Sequence, residues 1–103
     1  MSVYLIATIQ VRAASFTKFA GVMGKIAAIA ETAGWKLANA YLMRVGQLNT
    51  VIDIWELNDF NHMNVGMQAI AAHPDFPDIQ AVLHDAVIQE TLSFADKLTY
   101  PAA

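Results

Sequence analysis

Gly46-Gln47-Leu48-Asn49-Thr50-Val51-Ile52-Asp53-Ile54-Trp55-Glu56-Leu57-Asn58-Asp59 holds a turn, a strand and a helix cap in one continuous stretch. Residues 46–49 read as a tight hairpin turn joining two strand-like runs, 35–45 and 50–57. Asn58 and Asp59 then offer side-chain caps to a helix whose Phe60, Met63, Met67 and Ile70 fall on one face. That helix ends near Ala72, because Pro74 disfavours a helical His73 and cannot continue the hydrogen-bond ladder.

Working outward, residues 3–12 are rich in β-branched and aromatic side chains and read as another strand. Leu5, Ala7, Ile9 and Val11 share one face of it, while Tyr4 and Ile6 keep the other apolar, which suits a strand covered on both sides. Ser15 is placed to cap a helix over 15–33, where Phe16, Phe19, Ala20, Met23, Ile26, Ala27 and Ala30 recur at helical spacing and Gly34 gives the stop. Downstream, 76–85 reads as a short helix opened by Pro77, and 87–94 as a last strand. The order β-α-β-β-α-β predicts a ferredoxin-like α+β fold with an antiparallel sheet, occupying residues 1–103 as one domain. Such a sheet carries its helices on one face and leaves the other bare.

Composition says what covers the bare face. The chain is 56% hydrophobic and 15% charged, where an ordinary domain is about 25% charged. A domain this small buries the smallest share of its surface, so the apolar excess predicts a homodimer. Residues 1–52 carry Arg12, Lys18, Lys25, Lys36 and Arg44 against Glu31, a net +4, and residues 53–103 carry −7. That asymmetry suits a two-fold pairing of the first half of one copy with the second half of the other.

Several classes are excluded as expectations. Six Lys and Arg against nine Asp and Glu, with no basic cluster, argue against nucleic-acid binding. The longest apolar stretches, 19–24 and 26–30, fall far short of the ~18 residues of a membrane span. No basic leader precedes the first apolar run, so no secretory signal is expected. The chain has no cysteine, hence no thiol chemistry, and the cytoplasm is the default compartment.

The 46–59 stretch also resembles the NIPSNAP family of dimeric α+β barrel proteins, matching its Gly-x-Leu-Asn turn, apolar strand and polar cap. Tyr4-Leu5-Ile6, Gly34-x-x-Leu37 and His73-Pro74-Asp75-Phe76 fit the same pattern, so the resemblance spans nearly the whole chain. Leu57 stands where the family usually has an aromatic, Phe76 where it has Trp, and Asp53 where it often has His. The resemblance implies two sheets packed face to face with helices outside. Similar barrels include cofactor-free monooxygenases, lactone isomerases, polyketide cyclases, haem-binding proteins and partner-binding modules.

Asp53 is the residue that could carry chemistry. It interrupts an apolar strand, and a lone buried carboxylate is costly, so it is either paired or driven to a raised pKa and fit for acid/base work. An even-length turn sets Leu42 opposite Asp53 and makes Arg44 its diagonal neighbour, within reach of an ion pair. Trp55 shares that face, opposite Ala40 with Ala38 nearby. The small side chains there, with Ala20, Ala27 and Ala30 of the first helix, predict a cavity beside the indole. Tyr41 on the other face offers a hydroxyl, and His73 is either a general base or a helix C-terminal cap. His62, His73 and His84 recur every 11 residues, but Pro74 breaks any helix that would align them, so neither a metal site nor a cofactor is expected.

The functional expectation is a pocket for a small apolar or aromatic ligand between sheet and helices, with cofactor-free acid/base chemistry on a ring compound. Asp53, His73 and Tyr41 are the catalytic candidates, and Trp55 and Arg44 the substrate-binding ones. The alternatives are a non-enzymatic protein-interaction module, or haem binding through His73 or His62.

Overall fold

The computed structural model describes residues 2–102. Four strands form one antiparallel sheet: β1 (Val3–Val11), β2 (Lys36–Leu42), β3 (Thr50–Leu57) and β4 (Val87–Ala95), in the order β2-β3-β1-β4. Helices α1 (Phe16–Thr32), α2 (Asn61–Ala72) and α3 (Phe76–Ala86) pack on one face. This is the predicted α+β, ferredoxin-like arrangement, with β1 at the centre.

The alternation in β1 is the organising feature. Leu5, Ala7, Ile9 and Val11 are buried under the helices, and Tyr4, Ile6 and Thr8 are half-buried on the open face. In β3, likewise, Val51, Asp53, Trp55 and Leu57 point to the helices and Ile52, Ile54 and Glu56 away from them. Phe19, Ile26, Ile29, Ile70 and Ile79 supply the helical side of the core. Gly34, at φ +92°, ends α1 in a Schellman motif: its N–H bonds Glu31 O at 3.1 Å, and the Trp35 N–H bonds Ala30 O at 3.0 Å. Trp35 is thereby turned into the core, 4% exposed, and β2 begins one residue later than expected.

Of the local expectations, the Asp59 cap of α2 is met, while those for Ser15 and for the hairpin are corrected. Ser15 does not cap α1. Its Oγ donates instead to Asp85 Oδ2 at 2.8 Å, after a short 3-10 turn (Ala13–Ser15) that carries the chain out of β1. Asp59, one residue ahead of the formal cap position, accepts the His62 N–H at 3.2 Å. The hairpin turn is wider than four residues. β2 ends at Leu42, and the Met43 N–H closes on Thr50 O at 2.9 Å. Leu42 therefore faces Val51, and Ala40 faces Asp53, a register displaced by two residues. A displacement of two preserves which face each side chain occupies. An irregularity between Leu37 and Asn39 sets Leu37, not Ala40, opposite Trp55.

Candidate functional site

A cavity of about 480 Å³ lies between the sheet and all three helices. Its floor is the helix-side face of the sheet: Leu5, Ala7 and Ile9 of β1, Asp53 and Trp55 of β3, and Glu90 and Leu92 of β4. Phe19, Met23 and Ile26 of α1 wall one side, and Met67, Ile70, Phe76, Leu83 and His84 of α2 and α3 the other. Met67, His84, Glu90 and Leu92 are exposed and mark the open side. It is an apolar chamber with few polar groups, of a size that could take a small molecule.

Trp35 and Trp55 meet edge to face inside it, with ring centroids 5.5 Å apart at 66°. Trp35 donates its Nε1–H to the His62 carbonyl and rests on Gly66, which has no side chain to obstruct it. Trp55, 3% exposed, finds no acceptor for its indole N–H among the described residues.

Asp53 is only 4% exposed, and among the described residues it makes no hydrogen bond and no ion pair. Burial, and secondarily the charge of Glu90, push its pKa from 3.8 up to about 6. The two carboxylates flank β1: Asp53 pairs with Ala7, and Glu90 with Ile9, on the same face. Desolvation raises the Glu90 pKa as well. At neutral pH the cavity thus holds an ionised Asp53 that still has appreciable proton affinity.

The other sequence candidates are distributed around this chamber. The expected Arg44–Asp53 ion pair is absent, because the wider turn leaves Arg44 exposed beyond the end of β2, outside the cavity lining. Tyr41 is 52% exposed and borders a second cavity of about 320 Å³ between α1 and β2, where Ala20, Ala27 and Ala40 provide the small walls. Asp53 is common to both chambers, whereas Trp55 lines only the first. His73 lies outside both linings. It ends α2 with an extended backbone, ψ 140°, as the residue before Pro74 must, and its Nδ1 accepts the Asp75 N–H at 3.0 Å. His62 is engaged by Asp59 at 3.2 Å. No three His, Asp or Glu side chains among the described residues converge as a metal-binding group.

Sequence reasoning missed Glu90 and His84. Glu90 carries the same signal as Asp53, a carboxylate in step with Leu92 and Phe94, but the two join one site only once β1 is seen to lie between them. The spacing of His84 speaks only to a metal ligand, while its place at the mouth depends on how α3 packs.

No family model matches the chain, and no curated protein matches its sequence. Solved structures do. A NIPSNAP domain protein from Burkholderia xenovorans superposes with a TM-score of 0.76 at 16% identity, covering 98% of this chain and 99% of that one. A NIPSNAP family protein from Agrobacterium tumefaciens gives 0.81 at 13% identity, over 97% and 89% of the two chains. A cofactor-independent oxygenase from Streptomyces nogalater gives 0.68 at 17%, over 98% of both. At these identities the likeness is one of fold. The chain has the fold of the NIPSNAP domain proteins, as the resemblance in residues 46–59 implied. Among the described residues no helix is long and apolar enough to cross a membrane.

Proposed function

We propose that this chain binds a small apolar ring compound in the sheet–helix cavity and performs cofactor-free acid/base chemistry on it, with Asp53 moving the proton. The observation that carries this reading is Asp53 itself: buried, without a partner, at the wall of an apolar chamber, with a pKa near 6. A stability requirement alone would have paired such a group or replaced it, whereas a general base is best placed with its pKa near the working pH. Trp55 supplies the complementary donor. With its N–H on a ligand oxygen, it stabilises the negative charge left when Asp53 takes a proton from an adjacent carbon or hydroxyl. Return of that proton to another atom of the same molecule completes an isomerisation or ring closure. A cofactor-independent oxygenase of the same fold supports reactions that rely on side chains alone.

We also propose that the protein works as a homodimer through the open sheet face. Tyr4, Ile6, Ile52 and Ile54 are half-buried there and Tyr41 is exposed, an apolar surface with no helix over it. Soluble cytoplasmic protein is the corresponding expectation for its setting.

The test is a panel of phenols, quinones, lactones and β-keto compounds followed by Trp emission and thermal shift. Binding should quench the indoles and raise the Tm by mass action. Turnover of a binding compound should be lost in Asp53→Asn while binding persists. A panel that neither quenches nor stabilises would remove this reading.

A further inference from the structure

The charge character of the cavity narrows the ligand further, and this step rests on the small-molecule reading above. The lining contains two carboxylates, one imidazole and no lysine or arginine. Among the described residues the six lysines and arginines all lie outside it. Arg12 is turned to the Asp85 carbonyl at 3.1 Å, and Lys18, Lys25, Lys36, Arg44 and Lys97 are exposed on α1, β2, the hairpin loop and the segment after β4. Asp53, more than nine-tenths buried and without hydrogen bond or ion pair among the described residues, lines the chamber, and its oxygens are not sealed off, since every fully enclosed side-chain oxygen among those residues has a partner.

We propose that the cavity selects by charge, taking an alicyclic or aromatic body that carries a basic nitrogen, held by Asp53 with Glu90 at the mouth. The apolar walls bury the ring. Asp53 then regains as an ion pair what burial has cost it, in surroundings where charges interact more strongly than in water. The paired indoles add an aromatic surface that attracts a cation. An anionic ligand of the same shape meets two carboxylates and no compensating cation, so it is refused.

Three ligands of one shape test this: 1-adamantanemethylamine, 1-adamantanemethanol and 1-adamantanecarboxylate, titrated at pH 8 in 0.15 M NaCl with Trp emission and calorimetry. The amine should bind at least about tenfold more tightly than the alcohol, and the carboxylate more weakly than both. Asp53→Asn should bring the amine to within about threefold of the alcohol, chiefly by weakening the amine. Glu90→Gln, at an exposed position in β4, should lower the amine preference by a smaller factor. Equal binding of amine and alcohol, or an amine preference that survives Asp53→Asn, overturns the charge inference and leaves the pocket reading intact. Absence of binding by all three while phenols or lactones bind does the same. Failure of every compound in both sets removes the two together.

Discussion

The indole of Trp35 lies so close to Gly66 that a methyl group there would sit 2.1 Å from Cε2. Glycine inside a helix ordinarily costs about 1 kcal/mol relative to alanine, so Gly→Ala is stabilising wherever space allows. At Gly66 the sign should reverse, with Gly66→Ala lowering stability by about 2–4 kcal/mol because the obstruction is a buried ring. Gly21 in α1 has nothing within 4 Å of its virtual Cβ, and Gly21→Ala should raise stability by ~0.5–1 kcal/mol. Urea denaturation of both variants checks the pair.

Asp53 sets a pH dependence of stability. Its folded pKa, about 6, lies above its ordinary value of 3.8, so the folded state holds the proton more tightly than the unfolded chain. Its contribution therefore favours folding at low pH, weakens as pH rises from about 4 to about 6, and is flat above that. A shift of this size is on the order of 2–3 kcal/mol. Asp53→Asn should stabilise the protein by about that amount at pH 7.5 and by much less at pH 4. A variant less stable than the parent at pH 7.5 would mean that Asp53 has a structural partner.

The Ser15–Asp85 hydrogen bond, 2.8 Å long, joins the start of α1 to the end of α3 and is shielded on the Ser15 side. Ser15→Ala should cost about 1–2 kcal/mol, and a double-mutant cycle with Asp85→Ala should show coupling of ~1 kcal/mol. The cycle between Arg44→Met and Asp53→Asn should be additive within about 0.5 kcal/mol, since the two do not touch.

On the open face Ile6 and Ile54 are directly paired neighbours at the middle of the sheet. Ile6→Glu should leave the fold intact, because the side chain already points away from the helices; if the proposed dimer forms through this face, the mass from light scattering should fall from twice 11.2 kDa for the parent to 11.2 kDa for the variant. A parent protein that is already monomeric at micromolar concentration would exclude the dimer.

Much of this was legible in the order of residues. The alternation in β1 and β3 and the helical spacing in α1 and α2 place each element and the face it buries. Gly34 and Pro74 mark the ends of α1 and α2 by conformational rules that act within a few residues. What escaped was set by geometry between elements. The hairpin register depends on how many residues the turn absorbs, and Gly46 and Asn49, both at positive φ, absorb more than a four-residue turn. Ser15 has the right composition for a cap, but its hydroxyl is drawn to donate to a carboxylate some 70 residues away instead of accepting a helix N–H. Asp53 and Trp55 stood out because a charge in an apolar strand is conspicuous. Their counterparts on α3 and β4 become neighbours only in the assembled sheet.

The central position of β1 has a consequence for how the chain is made. Of the four strands it is synthesised first, yet it bonds β3 on one edge and β4 on the other. At about 5–20 residues per second, its last partner emerges several seconds after it does. Leu5, Ile6 and Ile9 have no strand to join until β3 follows them, and the other edge of β1 stays open until residue 95 is free. Slower elongation lengthens the exposure of that edge to self-association.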